Sequence, residues 1–345
     1  MKKLLLPILL LLAFSNLSTA QTDSLIFRNG NYLVGEVKTM DRNVVTVETP
    51  YSDKDFNIKW SRIQEIYTKT YFLITLSDGS RYNGTISSNA PGRISIVTDE
   101  GDSIQANHSD IVYLDDLDRG FWSQLSFSID LGFELTRSNN FRKFTTSTRL
   151  GYMAKRWALD AYYSTLFSRQ DNTDNIDRSE GGIGYRYFLP KDWYPLVSLD
   201  FLSSTELNLD LRTTLKLGLG KYVIHTNKSY WGLAIGANFN NENYFADTVL
   251  LDTAPDRKSM EAFLGTEYNM FNMGDLDLLT GLTAYPSLTE SGRWRVDFKI
   301  ETRYEMWFDD DFYIKLSYSL NYDSNPPEGA TDLDYVLNTG FGWKW

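Results

Sequence analysis

The chain has 345 residues, Lys+Arg 34 against Asp+Glu 45, a formal net charge of -11 and no cysteine. The lack of cysteine excludes a disulfide scaffold, a thiolate metal site and a cysteine nucleophile. The acidic balance supplies no positive field for phosphate, which argues against nucleic acid as a partner. With 22 Tyr, 20 Phe and 9 Trp in a chain that is polar on average, the rings belong on a surface or in a belt.

Residues 1–20 open with Lys2 and Lys3, continue through an apolar stretch from Leu4 to Phe14, and end on Ser18-Thr19-Ala20. This is the pattern of a secretory signal peptide cleaved about Ala20/Gln21. The apolar stretch falls short of the roughly 20 residues a membrane helix needs. The expected product is an exported protein.

Residues 24–117 contain an internal duplication, read as a small β module over 21–69 and a second over 70–117. The run Phe27 to Val37 corresponds to Leu76 to Ile86, with Asn29-Gly30 and Asp78-Gly79 as hairpin turns of type I′, which needs positive φ at both central residues. Each copy resembles the small SH3-like or Sm-like barrels. A module that binds a periplasmic protein or glycan and a structural spacer fit this pattern equally, because fold does not specify function.

From residue 118 to 345 the pattern becomes long segments of strict alternation. Between Arg293 and Trp307 one face carries Trp294, Val296, Phe298, Ile300, Tyr304 and Met306. The other carries Arg293, Arg295, Asp297, Lys299, Glu301, Arg303 and Glu305. Period two over such a length is a strand with lipid on one side and polar contents on the other. Twelve such segments are expected, near 122–135, 142–154, 157–168, 179–189, 193–204, 211–224, 229–240, 258–271, 275–286, 293–308, 311–322 and 332–345. Connections after the even segments are short and several of the others are long, as in outer-membrane barrels. A soluble β-sandwich also alternates, but the strand length, the aromatics toward strand ends and the charged polar face favour the membrane barrel. The fold expected is all-β: a twelve-stranded antiparallel transmembrane barrel behind two small periplasmic repeats. Phe341, Trp343 and Trp345 form a terminal alternating aromatic segment that looks like the signal read by the outer-membrane barrel assembly machinery.

The inward phase collects ten acidic and ten basic residues; Arg293, Arg295, Asp297, Lys299, Glu301, Arg303, Glu305 and Lys315 are the candidate lumen-lining set. A balanced lining suits pairing across the ladder better than an ion-selective ring, which predicts a narrow or closed lumen. Nothing points to a catalytic, cofactor-binding or metal site: the two histidines, His108 and His225, stand apart, His225 beside a turn where a structural or solvated role is expected. No HExxH, GxSxG, P-loop or Rossmann pattern occurs.

Across residues 118–345 the chain resembles the bacterial family named for salt-induced outer-membrane proteins, a domain of unknown function. The residues that carry the resemblance are the opening strand Trp122 to Leu135, the segment Gly181-Gly182-Ile183-Gly184-Tyr185-Arg186-Tyr187, and the final Asn338 to Trp345. The resemblance implies an envelope or osmotic-stress association and no catalytic residues. The sequence therefore predicts a monomeric, non-enzymatic barrel in the outer membrane of a Gram-negative bacterium, with residues 21–117 in the periplasm as binding or tethering modules. A narrow channel for ions or small solutes is the alternative, and a lipid-modifying enzyme a more distant one.

Overall fold

The computed structural model describes residues 22–117, 120–136, 141–171, 173–245, 256–271, 273, 275–306, 309–326 and 331–344. The expected signal segment 1–20 and the terminal Trp345 lie outside them.

The amino-terminal unit holds β1 (Asp23–Phe27), β2 (Tyr32–Asp41), β3 (Val44–Glu48), β4 (Phe56–Lys59), β5 (Ile63–Tyr67), β6 (Phe72–Leu76), β7 (Arg81–Ala90), β8 (Arg93–Thr98), β9 (Ser103–Asn107) and β10 (Ile111–Asp116). The duplication is present strand for strand, but the two copies do not close two barrels. The closing strand of each copy pairs with its own first strand and with the second strand of the other copy: β5 lies between β1 and β7, and β10 between β6 and β2. Because β1 also pairs with β2, the ring β1-β5-β7-β6-β10-β2 closes into one six-stranded barrel. The hairpin arms β3-β4 and β8-β9 extend from it.

The reason is hydrophobic area. A copy of about 45 residues buries too little apolar surface to stand alone, and sharing the closing strands merges both copies around one core. That core runs from Leu25 through Val37, Trp60, Ile66, Phe72, Ile86 and Ile96 to Leu114, all within this unit. Trp60 and His108 open equivalent 3-10 turns in the two copies. Their rings stack on each other at 4.0 Å and 8°, and Trp60 Nε1 donates to the His108 carbonyl at 3.0 Å.

The repeat turns differ from expectation. Gly30 and Gly79 have φ of +84° and +81°, but Asn29 and Asp78 do not take positive φ. Gly30 N donates to Phe27 O at 2.9 Å and Phe27 N to Asn31 O at 2.8 Å, the signature of a type I turn followed by a left-handed glycine. Asn29 and Asp78 instead accept from the amides of Asn31 and Ser80 through their side chains, so they act as Asx turns.

The second unit is a closed ring of twelve antiparallel strands: β11 (Leu125–Thr136), β12 (Phe141–Met153), β13 (Trp157–Arg169), β14 (Ile176–Tyr187), β15 (Trp193–Ser204), β16 (Leu209–His225), β17 (Ser229–Tyr244), β18 (Arg257–Met270), β19 (Leu276–Pro286), β20 (Trp294–Met306), β21 (Asp309–Asp323) and β22 (Leu333–Lys344). The expected strand number and order are those observed. Neighbours pair sequentially, and β11 meets β22 to close the ring.

The outward phase is exposed and apolar, with Phe144, Leu150, Phe201, Leu217, Ile235, Leu282 and Leu316 among its residues. On the short-turn side Phe121, Tyr152, Trp157 and Tyr185 stack in a row at 5.0, 5.1 and 6.1 Å, as an interfacial aromatic girdle does. Among the described residues no helix is long and apolar enough to cross a membrane. The strands do the crossing, and the protein is an outer-membrane β-barrel.

Candidate functional site: a capped lumen with ion pairs across its upper half

Alternation sends every second side chain of β11–β22 inward, and the polar groups placed there must find partners or water. In the half nearest the long loops they find each other. Arg178 on β14 pairs with Asp334 on β22, and its second nitrogen donates to Asn321 on β21 at 2.7 Å. These strands are not neighbours in the ring, so the guanidinium crosses the lumen.

Beside it Arg293 donates to Asp323 at 2.6 Å and to Glu242 on β17 at 3.2 Å. Glu242 also takes Arg212 of β16 at 2.6 Å. Arg295 holds Glu261 of β18 in a bidentate pair at 2.8 and 2.7 Å, the geometry in which guanidinium and carboxylate match best. Asn240 donates to the same carboxylate at 2.8 Å.

A second group lies deeper. Glu301 accepts from Arg303 at 2.7 Å and from Arg149 of β12 at 3.0 Å. Asp130 of β11 accepts from Lys315 at 2.6 Å and from the Tyr313 hydroxyl at 2.6 Å. Of the residues named from the sequence, Arg293, Arg295, Glu301, Arg303 and Lys315 are buried in these networks. Asp297 accepts from Asn321 at 2.8 Å, and Glu305 pairs with Lys344 at 2.6 Å. Lys299 keeps 51% of its side chain exposed, 3.8 Å from Glu301. Phe341 and Trp343 sit on β22 facing Leu131 and Ile129 of β11 across the ring closure.

Sequence reasoning missed Arg178, Glu242 and Asp323. Each lies just beyond an expected strand end, in the inward phase; extending the alternation by two residues would have included them.

A cavity of about 1770 Å³ runs through the lumen, past Asp130, Glu301 and Arg303 and up to Arg178 and Asn321, with Tyr162, Tyr194, Arg186, Lys216, Asp160 and Glu267 on its lower walls. Its floor is the small barrel. Arg81 of β7 lies 3.7 Å from the centroid of Phe188 and donates to the Ala154 carbonyl at 3.4 Å, contacting two of the short turns. Burial draws the Arg81 pKa down to about 10, so it remains charged at neutral pH.

Arg42 lies 4.9 Å from the Phe271 centroid and 3.8 Å from Asp277, at a third short turn. Gly79 is fitted so closely that a Cβ there would lie 2.5 Å from the Asp192 amide nitrogen. Asp192 in turn holds His225 Nδ1 at 2.6 Å. His225 is therefore a partnered side chain at the cap contact, with only 8% of it exposed, and not a solvated turn residue. No apolar core is shared between cap and barrel among the described residues; the contact is polar and cation–π in character.

Several solved barrels are similar to this chain over about 64% of its length. The β domain of the Bordetella autotransporter BrkA is 9% identical over 64% of this chain and 98% of its own, with a TM-score of 0.34. The translocator domain of autotransporter NalP from Neisseria meningitidis is 11% identical over 64% and 87%, with a TM-score of 0.36. The KdgM porin in complex with disordered oligogalacturonate is 11% identical over 63% and 98%, with a TM-score of 0.32. The fold assignment rests on the closed ladder and not on these likenesses. No curated protein matches the chain. Residues 129–345 match the family described as protein of unknown function, DUF481, and the chain belongs to that family.

Proposed function

We propose that this protein is a non-enzymatic barrel, closed at rest, in the outer membrane of a Gram-negative bacterium. In this reading it holds the six-stranded unit, residues 21–117, at its periplasmic mouth, where that unit binds or tethers a periplasmic protein or glycan. The barrel is monomeric and inserted by the barrel assembly machinery, and the family resemblance extends the reading to an envelope or osmotic-stress setting. The observation that carries it is the Arg178 bridge to Asp334 and Asn321. A guanidinium held across the lumen narrows the path there for a hydrated solute.

Single-channel recording of the mature chain in a planar bilayer tests this. Silence from heat-modifiable, folded protein is expected, and stable discrete steps from the unmodified chain would overturn it. The alternative, a narrow channel for ions or small solutes, draws its support from the cavity of about 1770 Å³. That reading requires Arg295→Ala and Arg303→Ala to alter conductance or ion preference.

A further inference from the structure

The ring of twelve strands has one weak seam. Where β11 meets β22 the ladder among the described residues runs only from Ser128↔Lys344 to Leu131↔Phe341. The flanking seams are paired throughout, from Leu125↔Tyr152 to Thr136↔Phe141 on one side and from Phe312↔Trp343 to Tyr322↔Leu333 on the other. Above Leu131, therefore, β11 and β22 each carry a ladder on one edge alone. The last close approach is at Gly132 and Gly340, where a Cβ added to Gly340 would lie 3.0 Å from the Gly132 Cα. Beyond it Lys143 reaches over from β12 and donates its ammonium to the Leu337 carbonyl at 2.9 Å.

Open strand edges are not tolerated against hydrocarbon unless they border protein or a polar cavity. We infer that the upper β11–β22 seam is a lateral portal joining the lumen to the bilayer, and that it takes the headgroup of a phospholipid bearing both a phosphate and a primary amine. The lipid side of the seam is apolar and exposed, with Phe133 at 68%, Leu337 at 56% and Phe341 at 68% exposure, a bed for an acyl chain. The inward phase offers two opposite charges in register, Lys143 on β12 and Glu134 on β11. Lys143 would take the phosphate in exchange for the Leu337 carbonyl, and Glu134 would take the amine. Glu134 and Lys143 stand opposite each other in register, so a headgroup that carries both charges matches both side chains at once. This inference rests on the membrane barrel and not on the closed-lumen reading.

The chain has no cysteine, which permits a clean test on the full-length protein in vesicles. A photo-cross-linking amino acid replaces the inward Asn338 or, as control, the outward Leu337, and phosphatidylethanolamine is the probe. Capture at both positions is expected, and bridging Phe133→Cys to Thr339→Cys with a bis-maleimide should abolish capture at 338 alone. Lys143→Gln and Glu134→Gln should each lower capture at 338 about fivefold, the weight of one charge contact at a membrane surface. Phosphatidylglycerol, which is anionic and lacks the amine, should lose no capture on Glu134→Gln. Labelling at 337 without 338, or capture at 338 that survives the bridge, would overturn the portal. Portal capture indifferent to both charge substitutions would overturn the headgroup assignment. Heat modifiability verifies folding of each variant.

Discussion

Lowering the pH should loosen the cap through one side chain. His108 is 8% exposed, stacked on Trp60, and its Nε2 has no hydrogen-bond partner. Burial, with a smaller contribution from the Arg28 charge, pushes its pKa from 6.5 to about 4. The folded value lies below the unfolded one, so the folded state disfavours the charged ring. The stability is fully present above about pH 6.5, erodes as pH falls, and is lost once pH has passed about 4. At 1.36 kcal/mol per pH unit the neutral ring contributes about 3 kcal/mol at neutral pH, of which about 2 is gone by pH 5. Hydrogen exchange at the buried Ile94 and Ile96 amides reads this directly in the full chain. After correction for intrinsic rates, protection should fall roughly 20-fold between pH 7 and pH 5. His108→Gln should flatten that dependence, because carboxylate titrations elsewhere are common to both proteins. Parallel pH profiles for the two would refute the assignment to His108.

The remaining predictions concern the contacts that join or close the parts. Trp60→Ala should cost the cap about 3–5 kcal/mol, exposing residues 22–117 to protease while the barrel stays heat-modifiable; resistance to protease would contradict the shared core. Gly79→Ala combines a residue unfavourable at φ +81° with a clash on Asp192, so amide exchange at 188–192 should rise without loss of the barrel. Unchanged exchange there would argue against the seated cap. Arg178→Ala removes the guanidinium from the Asp334 carboxylate and opens that level of the lumen to water. Bilayer recordings of that variant should show current steps that Asp334→Asn, added to it, preserves. Removing Trp343 to Trp345 should lower the yield of inserted barrel, and normal insertion would contradict the assembly role of the terminus.

Much of the barrel was legible because each strand reports its own geometry. Residues 293–307 alternate without a break, and period two needs no tertiary information to be read. The networks were half legible. Alternation puts Arg295 and Glu301 inside, but it cannot say that Arg295 meets Glu261 two strands away or that Arg178 crosses to Asp334, because those pairings depend on strand tilt and ring closure. The duplication was legible in Asn29-Gly30 and Asp78-Gly79, while the exchange of β5 and β10 between copies was not, since either closure satisfies the same local pattern. Docking of the cap left no trace in the sequence. Arg81 and Arg42 stand in ordinary strand and turn contexts, and their aromatic partners Phe188 and Phe271 lie more than a hundred residues away.

Cap and barrel differ in what holds them, and the difference bears on how they work. The cap has an apolar core of its own, so it resembles an independent domain resting on a polar contact, a kind of interface at which relative motion is expected. The barrel interior holds charges, and buried ion pairs are weak evidence of stability because desolvation consumes most of the Coulombic gain. Well-packed apolar side chains would fill the upper lumen at least as stably. What the pairs of Arg178, Arg293 and Arg295 contribute instead is geometry: each guanidinium ties strands that are not neighbours at one separation, while Lys299 keeps half its side chain exposed to the cavity. On the proposed closed-lumen reading, these contacts can be exchanged for hydration, whereas an apolar filling could not be. The proposed closed state would then open when something competes for its arginines.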